Sequence, residues 1–197
     1  MQELAAGIQR FRRDVYPARA ALFERLATTH RPNALFIGCS DARVVPELIT
    51  QREPGELFVI RTAGNLVPPY GPGADGVAAS IEYAVSVLEV ADVIVCGHSA
   101  CGAMTALAGG GDLSELPAVA GWLRHATVAP SATGTVAALV RENVLDQLAN
   151  LRTHPSVARA LATRRLTLHG WVYDIGSGAV AELDAASGRF AELVAAD

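Results

Sequence analysis

No stretch of the sequence reaches the roughly 18 uninterrupted apolar residues of a membrane-crossing helix, and its opening residues lack the unbroken apolar core of a signal peptide. Both absences point away from membranes and towards the cytoplasm. A basic stripe is missing too: the formal charge of −4 leaves nothing to neutralise a phosphate backbone, so nucleic acid is not an expected partner. The glycine-rich stretches contain neither G-x-G-x-x-G nor a P-loop lysine, which leaves nucleotide binding without support. There is no Cys-x-x-Cys pair, which argues against a thiol redox protein. The three cysteines, Cys39, Cys96 and Cys101, are an odd set that cannot all pair within the chain, and a reducing compartment keeps them as thiols. With neither an internal repeat nor a second apolar core, residues 1–197 read as one domain, residues 1–29 forming a helical arm suited to a dimer contact.

Of the 197 residues, 51% are hydrophobic and 18% charged, which suits a compact α/β protein with a large core or an oligomer interface. Such a chain needs no metal for bulk stability, so any metal here serves chemistry. Apolar runs of strand length occur at 34–38, 56–62 and 92–97, continuous rather than alternating, as parallel strands covered on both faces require. Helical patterns at 44–51 and 76–90 separate them, the second putting Val77, Ile81, Ala84, Val85 and Leu88 on one face. Pro17 breaks or starts a helix within the arm, and 65–76 and 109–117 read as loops. Helices are expected over 136–154, stopped by Pro155, and over 155–165. The final run, 166–185, reads as an antiparallel hairpin around Gly176-Ser177-Gly178. The expected fold is α/β: a central, mostly parallel sheet flanked by helices, with that hairpin at its edge.

Two strand ends carry the chemistry. ALFIGCSDAR (34–43) runs from a strand into Cys39, Asp41 and Arg43, and VCGHSACGAM (95–104) repeats the layout with His98 and Cys101. Ligands of open parallel sheets bind outside the carboxyl ends of the strands, so both clusters should open on the same edge. His98 and Cys101, three residues apart, would project from one face of a first helical turn. Two thiolates and an imidazole form a borderline-soft set that selects zinc over magnesium or calcium and leaves one tetrahedral position open. Either water or Asp41 can take that position. A guanidinium fork from Arg43 would hold the Asp41 carboxylate off the metal and aim it at a bound water. The two thiolates make such a water less acidic than on an all-histidine site, so activity should rise on the alkaline side. The plainer alternatives are a structural ion pair at Asp41 and Arg43 beside buried core thiols; Cys96, inside its strand, reads as core packing and as a reserve ligand.

Cys39-Ser40-Asp41-Ala42-Arg43 and Gly97-His98-Ser99-Ala100-Cys101-Gly102, with 54–70, 80–85 and 166–175, resemble the β-class carbonic anhydrases over nearly the whole chain; the arm and 105–135 match least. The resemblance implies reversible hydration of CO2 to bicarbonate and a proton by attack of zinc-bound hydroxide. Zn2+ would sit on Cys39, His98 and Cys101, Asp41 and Arg43 would form the catalytic dyad, and Asp41 would be a fourth ligand in a closed state. It also implies that Gly102 presents its backbone N–H to substrate, that Phe58 and Tyr83 line an apolar CO2 pocket near a subunit interface, and that the chain is a homodimer or higher oligomer. His30 stands at the pocket position where relatives carry glutamine, Ala42 replaces a commoner serine and Thr62 an asparagine. A subgroup switched by bicarbonate uses a Trp-Arg-Tyr trio; Arg61 and Tyr173 match it, but Phe36 replaces the tryptophan and Val45-Pro46 follow the other subgroup, so no switch is expected. Hydrolysis of COS or CS2 on the same site, and a noncatalytic zinc or bicarbonate-binding module closed by Asp41, are the alternative functions.

Overall fold

In a computed structural model that describes residues 1–73, 75–110, 112–126 and 134–193, contacts divide the chain into two compact units, Met1–Arg31 and Pro32–Asp197. The first holds α1 (Gln2–Arg10), a π turn over Phe11–Val15, a 3-10 turn opened by Pro17 and α2 (Ala20–Leu26). An aromatic trio closes it: Tyr16 stacks on Phe23 at 5.4 Å between ring centroids, and Phe11 meets both edge-on. Pro17 is the punctuation expected, because its fixed φ suits the first residue of a helical turn.

The second unit is built on a six-stranded sheet, β1 (Ala34–Cys39), β2 (Leu57–Thr62), β3 (Asp92–His98), β4 (Thr167–Tyr173), β5 (Val180–Asp184) and β6 (Arg189–Glu192), in the order β2-β1-β3-β4-β5-β6. The first four are parallel, and β5 and β6 are antiparallel additions. The expected edge hairpin is present, but a third strand, β6, extends it. Four residues with Phe190 alone apolar and half-buried give too little alternation to be read as a strand.

The continuous apolar runs are explained by burial on both faces. Leu35, Ile37, Val93 and Val95 point into the main core with α4 (Gly76–Glu82), α7 (Val136–Thr153) and α8 (Pro155–Ala162), while Phe36, Ile94 and Cys96 point to the opposite face beside Trp171 and Tyr173. Ile81, Ala84 and Val85 are buried in the main core and Val77 and Leu88 pack against it, as the helical spacing requires, although the helix widens into a π turn over Tyr83–Val87. Helix α3 (Pro46–Thr50) is shorter than its pattern, since Pro46 fixes its start and Gln51 ends it in the left-handed region. Helix α5 (Gly102–Gly109) follows β3, and α6 (Pro117–Leu123) lies just past a segment read only as loop.

Helix α7 approaches β3 and β4 over two glycines. A Cβ at Gly97 would stand 2.9 Å from Val140 Cγ1, and one at Gly170 2.9 Å from both Val144 Cγ1 and Leu148 Cδ1. Gly170→Ala should therefore cost about 1–3 kcal/mol by overpacking, read as a lowered melting temperature.

A second pin joins the strands. Both ring nitrogens of His169 face carboxylates, Nδ1 at 2.8 Å from Glu182 Oε1 and Nε2 at 3.0 Å from Asp92 Oδ1, so β4 is tied to its neighbours β5 and β3. Burial works against the charged ring, but Asp92 and Glu182 outweigh it and raise its pKa. The stabilisation is fully present below the ordinary histidine pKa of about 6.5 and is lost as pH rises through the raised folded value. Denaturant midpoints of His169→Gln should accordingly fall below wild type in acid and converge with it in alkali.

Candidate metal centre

Register brings the two sequence clusters to one edge. Gly38 pairs with Cys96 across β1 and β3, so Cys39, the last residue of β1, and His98, the last of β3, end within about one residue of the same level. Cys101 arrives by a turn rather than by a helical face. Ala100 takes the left-handed conformation (φ 52°) and swings the chain so that Cys101 becomes the cap residue before α5. The expected shared helical face of His98 and Cys101 is thus replaced by a strand end and a cap, because the strand persists through His98.

The three side chains are buried, and their ligand atoms all lie within 4.8 Å of one another. His98 Nδ1 lies 2.9 Å from the Ser99 carbonyl, which fixes Nδ1 as the protonated nitrogen and turns Nε2 inward as a lone pair. Nε2 is fully buried and has no hydrogen-bond partner among the described residues, an arrangement costing about 1–3 kcal/mol unless a donor or a cation takes up the lone pair. Hydrogen bonding from Cys101 is the main influence pulling the Cys39 thiol down, against burial, helped by the backbone N–H groups of Asp41 and Gly64. Cys101 is pushed up by sharing that proton with Cys39 and by burial. Burial disfavours the His98 imidazolium, but Cys39 and the Ser99 carbonyl raise its pKa overall. A soft donor set with one orphaned imidazole nitrogen and two sulfurs competing for a proton fits a zinc-like cation. Cys96 belongs elsewhere: it lies on the opposite sheet face, and burial pushes its thiol up to about 12, so it is no reserve ligand.

Asp41 and Arg43 form the expected fork. Arg43 Nε donates to Asp41 Oδ1 at 2.9 Å and its NH2 group to Oδ2 at 2.7 Å, while the Arg43 backbone N–H adds a bond to Oδ1 at 2.9 Å. The guanidinium and that amide hold the carboxyl well below the usual carboxylate range, despite some burial. Oδ2 stands 3.9 Å from His98 Nε2, beside the cluster but not in it. Arg43 also donates to the Ala100 carbonyl at 3.1 Å, linking the two ligand loops. Arg61 is spent on the same backbone, donating to the carbonyls of Cys39 (3.1 Å) and Asp41 (2.6 Å). Phe36, in the tryptophan place of the switch trio, packs edge-on against Trp171 on the far sheet face.

Not every candidate converges. Phe58 and Tyr83 face one another at 5.9 Å between ring centroids, yet Phe58 pairs with Leu35, four residues before Cys39 and so about 13 Å down the strand. Within one chain Phe58 packs against the main core and Tyr83 is 43% exposed. His30 belongs to the first compact unit. Gly102 opens α5, where the first N–H groups have no intrahelical acceptor. Thr62, at the asparagine position, gives its hydroxyl to the Leu66 carbonyl. The sequence reading missed Gly64, whose backbone N–H lies 3.3 Å from Cys39 Sγ; its glycine, at φ 71°, was the available signal.

The sequence profile of the carbonic anhydrase family matches residues 34–180. A carbonic anhydrase of Pseudomonas aeruginosa is 61% identical over 98% of this chain and 92% of its own length. The solved structure of the β-carbonic anhydrase CcaA superposes with a TM-score of 0.93 at 43% identity, covering 98% of this chain and 99% of that one. One of two tetrameric β-carbonic anhydrases of Sordaria macrospora superposes with a TM-score of 0.72 at 30% identity, with 93% of each chain covered.

Elemental analysis tests the centre directly: the purified chain should carry one divalent ion, and Cys101→Ala should lose it while remaining folded.

Proposed function

Because the chain belongs to the carbonic anhydrase family, in its β class, and is an enzyme of that kind, we propose that it interconverts CO2 and bicarbonate on a zinc ion held by Cys39, His98 and Cys101. The observation that carries this is the buried Nε2 of His98, without a hydrogen-bond partner among the described residues, facing two sulfurs beside a carboxylate that Arg43 holds in a fork. Such an ion would supply the Lewis acidity that makes hydroxide available near neutral pH. The protein supplies position. Asp41 Oδ2 accepts one bond from Arg43 and has a lone pair left for the nucleophilic water, while Oδ1 is saturated by Arg43. With its carboxyl held ionised, Asp41 orients that water rather than taking its proton. The proton leaves to buffer. The first N–H of α5, at Gly102, is offered to the oxygen that becomes negative as CO2 bends.

Phe58 and Tyr83 fit the apolar CO2 pocket only if a second copy of the chain presents them, which agrees with a homodimer or larger homo-oligomer as the working form. The tetrameric relatives support that reading. Arg61 is engaged on two backbone carbonyls and Phe36 offers no indole N–H, which favours an enzyme without a bicarbonate switch. No helix among the described residues is long and apolar enough to cross a membrane. We place the enzyme in the cytoplasm, where its three free thiols stay reduced.

Stopped-flow CO2 hydration, with metal content measured on the same preparation, tests the proposal. Activity should track bound zinc and rise towards alkaline pH, and sulfide release from COS or CS2 should be the slower reaction. A metal-loaded preparation silent at every pH would leave only a binding module. Asp41→Asn should keep its zinc and lose about 100-fold in kcat/KM, the cost of a misoriented nucleophile.

A further inference from the structure

Residues 63–70 open with a 3-10 turn over Ala63–Asn65 and have no regular structure from Leu66 onwards, and their shape is held from outside. Along one side of α7, Asn143, Gln147, Asn150 and Thr153, with His154 after it, recur at helical spacing, and Asn143 and Gln147 are fully buried. Asn143 Nδ2 donates to the Gly64 carbonyl (2.9 Å) and Gln147 Oε1 accepts from Val67 N–H (2.8 Å). Asn150 Nδ2 donates to the Val67 carbonyl (2.9 Å), Thr153 Oγ1 accepts from Tyr70 N–H (2.8 Å), and His154 Nε2 lies 3.0 Å from the Pro68 carbonyl. Gln147 Nε2 also donates to Asn143 Oδ1 at 2.9 Å, which fixes the Asn143 amide with its NH2 group towards Gly64.

The opposite side of the same segment is held by α6. Trp122 Nε1 donates to the Ala63 carbonyl at 2.9 Å. That carbonyl belongs to the peptide group whose N–H points at Cys39 Sγ, 3.3 Å away. Trp122 therefore orients the peptide plane and, by polarising its carbonyl, strengthens its N–H as a donor. Gly64 itself cannot be another residue without strain: φ is 71°, and a Cβ would stand 2.9 Å from Ala103 Cβ.

We propose that Trp122 and Asn143 are positioning residues for the metal centre, clamping Gly64 from two sides so that its N–H stays on the Cys39 sulfur. The proposal rests on the reading that a metal sits among Cys39, His98 and Cys101. A hydrogen bond to a metal-bound thiolate withdraws electron density from the sulfur, so the metal keeps more of its positive character. With two thiolates neutralising the ion, such damping bears directly on its Lewis acidity. Neither residue touches the ligands' own protons, and neither lies next to them in sequence.

Cobalt(II) replaces zinc for the test, and the readout is the sulfur-to-cobalt charge-transfer band of the full-length protein. Trp122→Phe removes one N–H and keeps an aromatic ring; its band should move to lower energy, and Asn143→Leu should move it the same way. Thr153→Ala, which deletes a bond at the far end of the same segment, should leave the band at the wild-type position. An unmoved band in folded, cobalt-loaded Trp122→Phe overturns the proposal, as does an equal shift in Thr153→Ala. Should the variants not fold, wild type loaded with spin-active cadmium decides: through-hydrogen-bond coupling between the Gly64 amide proton and the metal supports the clamp, and its absence overturns it. A wild-type protein with no charge-transfer band at all would instead bring down the metal reading itself, an outcome distinct from a band that fails to move.

Discussion

Two thiols and an imidazole nitrogen packed within 4.8 Å of one another, almost entirely buried, form an arrangement that a protein interior does not tolerate by itself. The sulfurs contend for a proton, and His98 Nε2 has no partner among the described residues. A soft divalent cation resolves both problems at once, because it takes the nitrogen lone pair and replaces the contested proton. Much of the surrounding structure can be understood as what is needed to hold three donors in that otherwise unfavourable proximity. The parallel register fixes two of them, the left-handed turn at Ala100 delivers the third, and the Ser99 carbonyl decides which imidazole nitrogen faces inward.

Charge around the cluster is arranged in a chain of constraints rather than as isolated ion pairs. Arg61 anchors the backbone on either side of Ser40, through the carbonyls of Cys39 and Asp41. Arg43 anchors the Asp41 carboxylate and, through the Ala100 carbonyl, the opposite ligand loop. Half-exposed arginine pairs contribute little to stability as such. Here the geometry matters more than the energy: a bidentate fork leaves the carboxylate one orientation, with Oδ2 turned to the cluster and Oδ1 fully occupied. The same fork holds an anionic oxygen 3.9 Å from His98 Nε2, beside the three donors.

Legibility in the sequence followed the range of the interactions involved. Continuous apolar runs disclosed β1, β2 and β3 because burial on both faces leaves a local imprint, and Cys39, His98, Cys101, Asp41 and Arg43 were readable because each lies at a strand end or within four residues beyond one. Where the pattern depended on distant partners, the reading failed or stopped short. Helix α6 owes its place to Trp122 reaching Ala63, 59 positions away. Strand β6 is short and mostly exposed, so β5 rather than its own composition makes it a strand. The convergence of His98 with Cys101 was foreseen, but its means was not, since a non-glycine left-handed residue carries no reliable sequence signal. Phe58 and Tyr83 were assigned to a pocket by resemblance alone, whereas the distance of Phe58 from Cys39 along the strands required the register.

Helix α7 shows why the stability of the fold and the geometry of the site are not separable. Its apolar side covers β3 and β4, and its polar side fixes residues 64–70, so one rigid body sets both the core spacing and the position of Gly64. Gly97 and Gly170 let that body lie close enough for Val140, Val144 and Leu148 to reach sheet backbone. Buried amides such as Asn143 and Gln147 are expensive unless fully bonded, and here each is bonded to the loop and to the other. Any displacement of α7 away from the sheet would break these bonds together rather than one at a time. The loop bearing the N–H···S contact therefore takes its precision from the packed core, and the metal centre borrows its rigidity from a helix that contributes no ligand to it.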